Sequence, residues 1–147
     1  MAGFSFVERL KGTFYRLEDP LHERAIALDI EAHVRSVRAP LASVAGHIRA
    51  EGLADAPVQG TLGLDAVGDR RIPYVLAFVG NDGRAYRFRG EKDLSWLAPV
   101  ETLVVLPFSI GTEDGDVWTE VARGTLRAPR DKESLRALVR SLRASPF

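Results

Sequence analysis

The chain contains no cysteine. That single absence removes disulfide scaffolds, thiolate zinc sites and cysteine nucleophiles together. It also agrees with a reducing compartment, and a cytoplasmic location is the expectation. Net charge is missing as well: 20 basic residues balance 20 acidic ones. A dedicated nucleic-acid binder normally carries a basic excess, so no nucleic-acid partner is expected. No apolar run approaches the roughly 18 residues of a membrane span. The opening MAGFSFVERLKG reaches a charge at Glu8 without an apolar signal core, so it does not read as a signal peptide.

Signatures of catalysis are also missing. There is no GxSxG elbow and no Ser-His-Asp arrangement. GTLGLDAVGD (60–69) lacks the Lys-Ser/Thr ending and the following helix of a phosphate loop. His22, His33 and His47 match no named metal spacing. His33 shares a strand face with Asp29 and Glu31, which can hold a metal or move a proton but is equally a solvated surface. No cofactor, no metal and no catalytic residue is expected on this reading.

What is present is a two-residue period. RAYRFRGEK (84–92) alternates apolar and polar side chains, and RRIPYVLAFVG (70–80) is a strand-length run of β-formers. Asn81-Asp82-Gly83 between them is a strong hairpin signal, because these residues reach positive φ most cheaply. Similar runs cover 3–17, 23–34, 44–52, 58–67, 100–110 and 117–128, with 36–43 and 94–99 read as connections and 111–116 as a turn. Glu18-Asp19-Pro20 breaks the first pair, since proline restricts its own φ and that of the residue before it.

After Pro129, Asp131 is placed to cap a helix start. Leu135, Leu138, Val139 and Leu142 then fall on one helical face, predicting a helix within 131–144 that covers the sheet body or an open end.

Eight or nine strands with short connections pair as a meander, and a sheet that wide tends to close. At 147 residues, 46% hydrophobic, the chain is expected to form a single domain over residues 1–147. The fold class expected is all-β: an antiparallel up-and-down barrel of about eight strands, lipocalin-like (calycin-like), with one C-terminal helix. A two-sheet sandwich is the alternative.

Glu8 and Lys92 break the pattern. Glu8 shares parity with Phe4, Phe6 and Leu10, and Lys92 with Tyr86 and Phe88, so both charges fall on core-facing sides. Buried opposite charges are most cheaply paired. Such a pair grips the polar end of a ligand, acts as acid and base, or plugs one barrel end. Tyr74, Tyr86, Phe88 and Trp118 are candidates to line a ligand pocket with Glu8 and Lys92, and the same aromatics equally make a packed core. Residues 123–143 hold a local excess of five positive charges, either a site for an anionic partner or a solvated helix face.

Several short motifs resemble a known group. F-x-E-x-L-x-G at 6–12, R-R-I-x-Y-x-L-x-F at 70–78, N-D-G-R at 81–84, G-x-K at 90–92 and T-L at 102–103 resemble a bacterial accessory β-domain. That domain is associated with cholesterol-oxidase-like, glucose-methanol-choline-type oxidoreductases and some esterases. The resemblance maps its acid and its lysine onto Glu8 and Lys92. It implies a non-catalytic domain working near lipid-like or steroid-like substrates, with an oxidoreductase as partner. The function expected is a small barrel binding an apolar or amphipathic molecule. The alternatives are a protein-interaction module with a filled barrel, and a cofactor-free cyclase or isomerase using Glu8 and Lys92.

Overall fold

A computed structural model describes residues 4–34, 41–63, 71–93 and 105–128. Eight strands run in chain order: β1 (Phe4–Arg16), β2 (Asp19–Val34), β3 (Leu41–Ala50), β4 (Ala54–Gly63), β5 (Arg71–Val79), β6 (Ala85–Asp93), β7 (Val105–Asp114) and β8 (Val117–Arg127). Each pairs antiparallel with its chain neighbours, and β8 returns to β1 through Lys11↔Arg127 to Arg16↔Ala122, closing the barrel. The described residues contain no helix, so none there crosses a membrane. The expected helix within 131–144 and the 94–99 connection lie outside the described residues.

Alternation decides what faces inward. On β2, Ile26, Leu28, Ile30, Ala32 and Val34 are buried while Asp29, Glu31 and His33 are exposed. The bulky aromatic interior side chains are Tyr74 and Phe78 on β5, Tyr86 and Phe88 on β6, Phe108 on β7 and Phe14 on β1. β3 and β4 supply mostly smaller residues, Ala42, Val44, Ala50, Ala54 and Val58, together with Ile48 and Leu62. Phe88 and Phe108 stack with centroids 4.8 Å apart. At Gly12 neighbouring backbone comes too close for a side chain: a Cβ there would sit 1.9 Å from the carbonyl oxygen of Thr125.

The four described turns, at 17–18, 51–53, 80–84 and 115–116, gather at one end, here the hairpin end. The β5–β6 hairpin follows its sequence signal. Gly83 takes φ 79° and donates its N–H to the Gly80 carbonyl at 3.0 Å. The opposite end, where β2–β3, β4–β5 and β6–β7 are connected, is the loop end.

Three boundaries differ from the sequence expectation. β3 begins at Leu41 rather than 44, because Leu41, Ala42 and Ser43 pair with Gly63, Leu62 and Thr61. β4 begins at Ala54 rather than 58, because the turn around Gly52 (φ 75°) returns the chain at once, and the expected stretch 64–67 lies outside the described residues. β7 continues to Asp114, with Glu113 still paired to Trp118. The break near Pro20 is a bulge rather than an end: the ladder passes from Phe14↔Arg24 to Arg16↔Asp19, extruding Pro20 to Glu23 and leaving Leu21 97% exposed.

Candidate functional site

Glu8 lies on β1, Lys92 near the end of β6 and Tyr74 on β5, all toward the loop end. Parity turns each inward, and Lys92 and Glu8 are the buried charged residues of the described core, 1% and 6% exposed. Lys92 Nζ donates to Glu8 Oε2 at 2.6 Å. The Tyr74 hydroxyl donates to Glu8 Oε1 at 2.5 Å, so each carboxylate oxygen has its own donor. Lys92 Nζ also stands 5.4 Å from the centroid of the Tyr74 ring. Burial first, then the Glu8 carboxylate, holds the Tyr74 phenol well above the usual tyrosine range. It is therefore a neutral donor at neutral pH, and the cluster carries no net charge.

A second tyrosine–carboxylate pair stands at the hairpin end. The Tyr86 hydroxyl donates to Asp82 Oδ2 at 2.6 Å, and the Arg84 N–H donates to Asp82 Oδ1 at 3.0 Å. These two bonds hold the Asp82 carboxyl below its ordinary range, the tyrosine contributing most. Burial and then the Asp82 carboxylate raise the Tyr86 phenol.

Of the six residues singled out from sequence, the structure brings Glu8, Lys92 and Tyr74 together. Phe88 is buried against Phe108, and Tyr86 is buried against Phe78 and Asp82. Trp118 stands apart on the outer wall, its ring 4.1 Å beneath the Arg89 guanidinium. Its parity matches the buried Ala122 and Leu126, but Ile110 pairs with Ala122 while Gly111 pairs with Glu120. The extra residue, Val121, flips every side chain beyond it.

Other clusters lie outside. Glu113 bridges Arg87 and Arg89 at 2.9 and 2.8 Å. Arg123 makes a two-pronged pair with Glu120 at 2.7 and 2.9 Å. His47 bonds Asp55, and His33 approaches Glu31 at 3.5 Å, both half-exposed. No group of three or more metal-ligating side chains occurs among the described residues. A shallow outer groove of about 840 Å³ crosses β5 to β8, with Pro73, Val75, Pro107, Ser109 and Thr125 in its lining. The Asp82–Tyr86 bond and the groove escaped sequence reading. The spacing of Asp82 in the turn, four residues before an inward Tyr86, was the available signal for the first.

No protein-family model, curated protein or solved structure matches this chain.

Proposed function

We propose that the chain is a non-catalytic, lipocalin-like binding barrel for an apolar or amphipathic small molecule, acting in the cytoplasm as accessory to an oxidoreductase. The observation that carries this reading is the buried Glu8–Lys92–Tyr74 cluster. An ion pair inside an apolar wall adds little stability over well-packed apolar side chains of similar volume. Its presence is better explained by what it offers a ligand. Lys92 has three N–H donors, of which Glu8 takes one. Among the described residues no other acceptor is bonded to it, which leaves donors for the polar end of a guest whose apolar part lies among Leu10, Ile30 and Leu106. Native mass spectrometry of the chain purified from its own source tests this. A retained small molecule that is lost in a Glu8→Met/Lys92→Met double variant is expected. An empty barrel in the parent chain overturns the reading.

A second reading is an interaction module with a filled barrel. The tight interior packing of Phe14, Phe88 and Phe108 favours it, and the outer groove beside Pro73 and Pro107 is then the docking face. Co-purification of an oxidoreductase with the parent chain, lost on Val75→Arg, supports that reading.

A further inference from the structure

The barrel wall has an eyelet. The β4–β5 ladder runs only from Gln59↔Ala77 to Leu62↔Tyr74. Toward the hairpin end the two strands part, and they are next joined where the Asn81 N–H donates to the Leu53 carbonyl at 2.8 Å. Between these two closures, residues 54–58 of β4 and 78–79 of β5 share no ladder. Pro57 is one cause, since it has no N–H to offer a neighbouring strand.

The opening is a slot of about 500 Å³, with Ala56, Val58, Phe78, Val79 and Tyr86 in its lining. Phe78 and Tyr86 stack at 5.7 Å and give it an aromatic wall. Its charged lining groups, Arg87 and Glu113, are already paired with each other at 2.9 Å.

We propose that this slot is a binding site for a neutral small molecule carrying an aromatic ring or short alkyl segment and one hydrogen-bonding group. The volume lies within the range of ligand sites, and the apolar lining suits a ring or chain. Val58 and Phe78 keep their ladder partners Gly46 and Tyr86 on the far sides, so the strand edges that face the slot are those of Pro57 and Val79, the next position beyond the last Gln59↔Ala77 rung, and a ligand's hydrogen-bonding group can meet them there. Neutrality follows from the internal pairing of Arg87 with Glu113. Closure at both ends excludes an added β-strand, which would have to pass through the Gln59↔Ala77 ladder or the Asn81–Leu53 bond. The slot opens toward the hairpin end, so it is separate from the Glu8–Lys92–Tyr74 cluster and stands whether or not that cluster binds anything.

Indole is a suitable probe, being neutral and aromatic with one N–H. Titration of indole into the full chain is followed by calorimetry and by amide chemical shifts. Saturable binding is expected, with shifts concentrated at Ala56, Val58, Phe78, Val79 and Tyr86. Ala77→Tyr and Ala85→Tyr each add bulk to an exposed lining position on a different strand, and each should weaken binding about tenfold or more. Unchanged melting temperatures identify variants that remain folded. Shifts centred on Glu8, Tyr74 and Lys92, no saturable binding up to the solubility of indole, or undiminished affinity in both folded variants overturns the proposal.

Discussion

The barrel uses the same bond twice, a tyrosine hydroxyl donating to a carboxylate, and the two copies live in opposite surroundings. At the loop end Tyr74 and Glu8 are sealed in the interior with Lys92 as third member. At the hairpin end Tyr86 reaches out of the core to Asp82, whose other oxygen takes the Arg84 N–H in an exposed turn. The lengths, 2.5 and 2.6 Å, barely differ. What differs is the alternative on offer when the bond is lost. Water replaces Tyr86 at Asp82; nothing described replaces Tyr74 or Lys92 at Glu8. The energetic meaning of a hydrogen bond is set by what surrounds its broken state.

The contrast is sharpest for the ion pair. Glu8→Gln or Lys92→Met alone leaves one buried charge unpaired and should cost about 3–5 kcal/mol in urea unfolding. The double variant Glu8→Met/Lys92→Met should be less destabilised than either single one, giving a large coupling energy in a double-mutant cycle. Harmless and additive single substitutions would erase the distinction between the two ends.

Tyr74→Phe comes next. It keeps the ring and strips one donor from a buried carboxylate, for an expected loss of about 1–3 kcal/mol. Alkaline titration followed by phenolate absorbance should then show that this substitution removes a phenol that stays protonated well above the ordinary value of about 10. Because the folded-state value is raised, the stabilisation from Tyr74 is complete below that ordinary value. It fades as the pH climbs toward the folded-state one. A Tyr74 phenol that titrates normally would mean that water reaches the cluster.

Tyr86→Phe should have the smallest effect, and a pH-dependent one. Asp82 has a depressed folded-state value, so its contribution is present above the usual carboxylate range and is lost as the pH falls through the depressed value. Removing the Tyr86 hydroxyl, the main cause of the depression, should move that loss to higher pH. The stability gap between parent and variant should be widest above the usual carboxylate range, at about pH 5, and should close steadily toward the acid limit at about pH 2. A Tyr86→Phe penalty as large as that of Tyr74→Phe would break the comparison.

Much of this was legible in the chain. Asn81-Asp82-Gly83 located the hairpin, and parity alone put Glu8 and Lys92 inside, because period-two alternation is a local property of extended backbone. What parity does not carry is an interruption in it. Val121 inserts one residue against β7, and Trp118 goes to the outer wall against its apparent phase. Pairing length is equally silent. The β4–β5 ladder stops just before Pro73 and two residues short of Pro57, and the β6–β7 ladder stops just before Pro107. Each proline is visible in the sequence, but which neighbour it deprives of a donor depends on which edge of the strand its nitrogen faces. The start of β3 at Leu41 was hidden for a different reason: 36–43 reads locally as a connection, and only its pairing with Gly63, Leu62 and Thr61 across the sheet makes Leu41 to Ser43 strand.

The position of the ion pair bears on the order in which the chain organises itself. Seven of the eight ladders join consecutive strands and form from contacts close along the chain; the β8–β1 ladder spans almost all of it. Loop-closure entropy makes such a contact slow to arrive. Glu8 and Lys92 sit on strands that are not neighbours in the ring, so their bond crosses the hollow of the sheet. In a flat or half-curled meander the two charges are apart and each remains in water. They meet only as the sheet rolls shut, and they meet only if every intervening strand is in register. The pair therefore acts as a latch on the last step of assembly: a single residue of slippage anywhere around the ring turns one of its halves outward and leaves the other stranded inside.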